Sequence, residues 1–150
     1  MLAMPADWVE LLGRMNEDER RRLDALLRRG GKNRGLWSPL PGPQTEAYYS
    51  EADVTGYGGA AGGGKTDLAV GMALTGHRKS MILRRVGTEL TSIEDRIAEL
   101  LGSRDGYSAQ RRIWRTTTPD GMVRQIEFAS LPNAGDERGY QGRPHDLLVF

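Results

Sequence analysis

Apolar residues recur at helical spacing in two stretches of the chain. Leu23, Leu26 and Leu27 form one stripe within residues 20–29, and Ile93, Ile97, Leu100 and Leu101 form another within residues 91–101, so both stretches predict amphipathic helices. Gly30-Gly31 and Gly102 stand just past their ends, where a left-handed residue stops a helix. The first stripe also has a start signal, because Asn16 followed by Glu19 is an N-cap with a capping-box acid three residues on. Trp8, Val9, Leu11 and Leu12 predict a shorter helix before it, so residues 1–36 read as a helical appendage with its linker.

Elsewhere the pattern changes period. Ile113 to Thr116 and Val123 to Phe128 alternate apolar with polar around Pro119-Asp120-Gly121, which predicts a hairpin with Gln125 and Glu127 on a wet face. Ser80-Met81-Ile82-Leu83 and Leu147-Leu148-Val149-Phe150 are short continuous apolar runs, and the second predicts a strand buried on both faces of a parallel sheet. Val54 to Tyr57 predicts a weaker strand, followed by a helix over Asp67 to Thr75 that Gly76 ends. Strand, helix and strand in that order make a right-handed crossover unit, so the fold class is α/β with a parallel-sheet core. Residues 32–43 form a connector rich in Gly and Pro that runs along a surface, and Gln44 to Tyr49 predict a short helix after it.

Composition narrows the classes. With 150 residues, 38% hydrophobic and 27% charged, the chain is neither disordered nor fibrous. No apolar run approaches the roughly 18 residues that span a bilayer, and Asp7 and Glu10 interrupt any signal-peptide core, so the expected compartment is a cytoplasm with no membrane partner. The absence of Cys removes disulfides and thiolate metal sites, and His77 and His145 read as surface residues rather than zinc ligands. Net charge is +1, with 8 basic and 6 acidic residues up to Leu36 and 13 and 14 after it, so bulk charge does not single out nucleic acid. The basic residues Arg20 to Arg22, Arg28, Arg29, Lys32 and Arg34 read as a solvated helix face, with phosphate contact as the alternative.

The chemistry concentrates in Gly59-Ala60-Ala61-Gly62-Gly63-Gly64-Lys65-Thr66, which fits the spacing G-x-x-x-x-G-K-[ST] of a phosphate-binding loop. Its glycines let the chain curl so that successive N–H groups point inward at phosphate oxygens. Lys65 then places an ammonium on the β- and γ-phosphates, Thr66 offers its hydroxyl to Mg²⁺, and the following helix aims its positive end at the same charge. The expected cofactors are ATP and Mg²⁺. Arg84 and Arg85 stand just past the end of the Met81 strand, where ligands of open α/β sheets lie; one of them senses the γ-phosphate or, on the alternative reading, closes a salt bridge.

Four segments in order are similar to the large terminase subunit of tailed bacteriophages: Trp37-x-Pro39-Leu40-Pro41-Gly42-Pro43-Gln44, the loop from Tyr57 to Thr66, Met81 to Arg85, and Tyr140-Gln141-Gly142-Arg143-Pro144-His145-Asp146. The resemblance covers residues 37–150. It implies a P-loop NTPase fold of the RecA-like kind and part of the ATPase of a motor that drives double-stranded DNA into a capsid. It further implies a ring of identical subunits when full length, a portal protein and a small terminase subunit as partners, and a bacterial host cytoplasm. On the same resemblance Gln44 reads the adenine edge, the alternative being an ordinary turn glutamine. The family's Asp for Mg²⁺ and water-activating Glu would follow Phe150 directly, so the ATPase domain is expected to be incomplete, without a nuclease domain and inactive as this fragment. Asp146 precedes its strand and is no substitute. A helicase-like or other P-loop ATPase, and a non-catalytic nucleotide- or partner-binding chain, remain the alternatives.

Overall fold

The computed structural model describes residues 14–21, 35–60 and 62–150. The chain divides into two compact units, residues 1–32 and 33–150. In the first, Asn16 Oδ1 accepts the N–H of Glu19 at 2.9 Å and Glu19 Oε2 accepts the N–H of Asn16 at 2.8 Å, the reciprocal pair that the spacing predicts. The expected helix around Trp8 and the Leu23, Leu26 and Leu27 stripe lie outside the described residues.

The second unit contains α1 (Pro43–Tyr48), α2 (Lys65–Gly71) continuing into a π-helical turn (Met72–Gly76), β1 (Lys79–Arg84), α3 (Glu89–Leu101), β2 (Tyr107–Ser108), β3 (Ile113–Thr117), β4 (Val123–Ser130), a 3₁₀ turn (Asp136–Tyr140) and β5 (Leu147–Val149). The five strands form one open sheet in the order β2-β3-β4-β1-β5. β1 is parallel to both its neighbours, β4 and β5, whereas β3 is antiparallel to β2 and β4. The unit is therefore a mixed α/β fold. Among the described residues no helix is long and apolar enough to cross a membrane.

The apolar faces of α2 and α3 close the main core on one side of the sheet. Val70, Ala73 and Leu74 join Leu90, Ile93 and Ile97 over Ile82, Trp114, Ile126 and Phe128, the arrangement that the 3.6-residue period of α3 demands. On the other side Met81, Leu83 and Ala129 are covered by Leu131 and Tyr140. At the far end of α2, Arg124 is 3% exposed. Its guanidinium donates to Thr118 Oγ1 at 2.9 Å, to the carbonyls of Thr75 and His77, and to Asp120 Oδ2 at 2.5 Å. It thus ties the β3–β4 turn to the carbonyl end of the helix, where a cation is favoured.

Three expectations are corrected. Residues 54–57 form no strand, and Val54 is 87% exposed; a short segment interrupted by Gly56 has little to bury against a sheet. β5 lies at the edge rather than buried on both faces, with Leu147 and Val149 packed inward and Leu148 and Phe150 exposed. Glu127 does not face water but is 8% exposed, because β4 is an interior strand with both faces covered.

Candidate functional site

The loop preceding α2 owes its shape to backbone conformations that side chains disfavour. Gly59, Gly62 and Gly64 take φ values of 135°, 83° and 71°, which glycine adopts without a Cβ penalty. Gly64 is left-handed and immediately precedes Lys65, the first residue of α2, and its carbonyl accepts the N–H of Leu68 at 2.8 Å. Gly63 N–H donates to Ala60 O at 3.2 Å, and Tyr57 Oη donates to Gly63 O at 3.0 Å. Lys65 Nζ lies 2.8 Å from the carbonyl oxygens of both Gly59 and Ala60, so the ammonium sits across the loop on its own backbone. Ala61 lies outside the described residues.

Three side chains brace this loop and its helix. Gln44, in α1, is buried, with Oε1 accepting the N–H of Leu40 at 2.5 Å and Nε2 donating to Gly64 O at 3.1 Å. Asp67, on the first turn of α2, accepts Trp37 Nε1 at 2.8 Å through one oxygen and Arg96 Nε at 2.8 Å through the other. Trp37 lies flat against Gly71, where a Cβ would come within 2.3 Å of the ring. Both oxygens of Asp67 are engaged. Thr66, beside it, is half-buried. No group of three or more His, Asp or Glu side chains is placed to hold a metal among the described residues. Within the loop, the Thr66 hydroxyl is the residue that would hold a Mg²⁺ ion, together with water and phosphate ligands.

Arg84 and Arg85 share an end of the sheet with the loop. Residues 65–76 rise about 18 Å as helix and the six residues of β1 about 20 Å as strand, so β1 returns to the level at which α2 began. Arg84 is half-buried, donating from NH1 to Leu83 O at 3.0 Å, and Arg85 is exposed. Neither forms the alternative salt bridge in the described residues. Asp146 marks the other end of β1, accepting the N–H groups of Arg78 and Lys79 at 2.7 and 2.8 Å. A cavity of about 370 Å³ lies beside α2, lined by Trp37, Leu40, Asp67, Arg96 and Leu100, rather than at the loop itself.

The sequence assigns no chemistry to Tyr140-Gln141-Gly142, yet the segment they open gathers a charged group. The His145 side chain is 2% exposed, which corrects its reading as a surface residue, and its Nε2 lies 3.4 Å from Glu127 Oε2 without a hydrogen bond. Arg143 reaches the same oxygen at 3.5 Å while its guanidinium stands 5.3 Å over the Tyr140 ring, and Gln125 Nε2 donates to Glu127 Oε1 at 2.7 Å. No spacing rule pairs residue 127 with residue 145; the only signal was the ordered motif itself. Compared with known proteins, the chain matches no family model, no curated protein and no solved structure.

Proposed function

We propose that this chain binds ATP with Mg²⁺ through Gly59–Thr66, as a P-loop NTPase fold, and that it is the nucleotide-binding part of a terminase-like motor that translocates double-stranded DNA. The observation that carries the nucleotide reading is the left-handed Gly64 directly ahead of Lys65 at a helix start, within a loop where Gly59 and Gly62 also take positive φ. An incoming phosphate chain offers Lys65 a stronger acceptor than the carbonyls of Gly59 and Ala60, so the ammonium transfers from backbone to phosphate. Thr66 would hold the metal, which supplies charge neutralisation at the phosphoryl oxygens. Arg84 and Arg85 are the candidates at that end of the sheet to meet the terminal phosphate. The motor role, with DNA, portal and small-subunit partners, rests on the four resembling segments alone.

A binding-only reading is favoured by one observation. Two acids on or beside the parallel strands are held elsewhere, Asp146 ahead of β5 on two backbone N–H groups and Glu127 in β4 beneath Arg143 and His145, so neither is placed to activate water. Calorimetric titration with ATP tests the nucleotide reading. Lys65→Ala removes a charge-assisted contact of about 1.5–3 kcal/mol and is expected to weaken binding by that amount; equal affinity in the folded variant would sink the proposal. Phosphate release measured in parallel separates hydrolysis from binding alone.

A further inference from the structure

We propose that Gln44 is a positioning residue for the Gly59–Thr66 loop, acting through the Gly64 carbonyl and setting affinity for a phosphate chain whatever base it carries. The inference rests on the nucleotide-binding reading above. Gln44 is 3% exposed and its amide is held at both ends, by the Leu40 N–H at 2.5 Å and by Gly64 O at 3.1 Å. Reading an adenine edge takes a donor and an acceptor together. Here the acceptor is engaged by Leu40 and a donor by Gly64.

The leverage comes from peptide geometry. The Gly64 carbonyl and the Lys65 N–H belong to one planar unit and point opposite ways. Holding the carbonyl therefore aims the Lys65 N–H, a donor at the mouth of the loop, and fixes the origin of the Lys65 side chain. Gly64 permits the approach, since a Cβ there would lie 2.8 Å from Gln44 Nε2. The support behind Gln44 is stiff. Pro39, Pro41 and Pro43 restrict φ on either side of Leu40, and Thr45 Oγ1 donates back to Leu40 O at 2.7 Å.

Two variants of the full chain test this. Gln44→Glu keeps the acceptor for Leu40 and loses the donor to Gly64, while Gln44→Met keeps the shape and loses both, so it serves if the first variant does not fold. Titrated with ATP, GTP and inorganic pyrophosphate, each folded variant is expected to weaken by the same factor for all three ligands, about tenfold. A loss confined to ATP would assign Gln44 to the base and overturn the proposal. Unchanged affinities beside a defective Lys65→Ala would overturn it while leaving the phosphate loop standing. If the wild type binds none of the three, the nucleotide reading falls and the proposal with it. A nitrogen-labelled wild-type chain gives a check that needs no variant. Pyrophosphate should shift the Gln44 side-chain amide signals and adenosine should leave them in place; the reverse result overturns the assignment.

Discussion

The two ends of the α2 segment each bring a cation to backbone carbonyls, in opposite settings. At its start Lys65 is exposed and rests on Gly59 O and Ala60 O. At its finish Arg124 is buried, and its guanidinium is shared among Thr75 O, His77 O, Thr118 and Asp120. Water beside Lys65 makes leaving those carbonyls inexpensive, so the contact is replaceable by a ligand. Arg124 has no such exchange partner, and removing it leaves the buried Asp120 carboxylate without its counter-charge. The same donor–acceptor chemistry gives a receptive end and a fastened end on one helix.

The largest expected effect tests the fastened end. Arg124→Ala leaves Asp120 buried without its partner and should cost about 3–5 kcal/mol in denaturant unfolding. A loss below 1 kcal/mol would mean that the buried network is dispensable, and the contrast between the two ends would break. Acid titration sharpens the same point. Burial raises the Asp120 carboxyl, but hydrogen bonds from Thr118, the Met122 N–H and Arg124 outweigh it and hold the group below its ordinary value. A depressed folded pKa contributes stability above the unfolded value and loses it as pH falls. The Asp120 contribution should therefore fade from about pH 4 downward. Asp120→Asn should flatten that part of the stability curve; an unchanged acid limb would contradict the assignment.

A middle-sized effect concerns the face of α2 between the two ends. Gly71→Ala drives a methyl into the Trp37 ring and should cost about 1–3 kcal/mol, with altered tryptophan emission as the ring is displaced. Unaltered stability and emission would show that Trp37 has another resting place. The smallest effect belongs to the receptive end. Lys65→Ala should change stability by no more than about 0.5 kcal/mol although it weakens ATP binding. A loss comparable to that of Arg124→Ala would erase the distinction between the ends.

Features encoded within a few residues were legible in advance. The Asn16–Glu19 box, the α3 stripe, the turn at Pro119-Asp120-Gly121 and the glycine spacing before Lys65 each depend on local dihedrals or on a period within one element. The chain likewise determined that β1 and the edge strand after Asp146 would be strands. Their neighbours were a different matter. An apolar run such as Leu147 to Phe150 reads alike at an edge or at a centre, because burial depends on which strands pair beside it. The same limit hid the burial of Glu127 under the Tyr140–Asp146 segment, the burial of His145, and the failure of residues 54–57 to join the sheet. It also hid the direction of the Gln44 amide. Composition and spacing specified which groups the loop contains, whereas only packing between distant segments decided which of them are held, and by what.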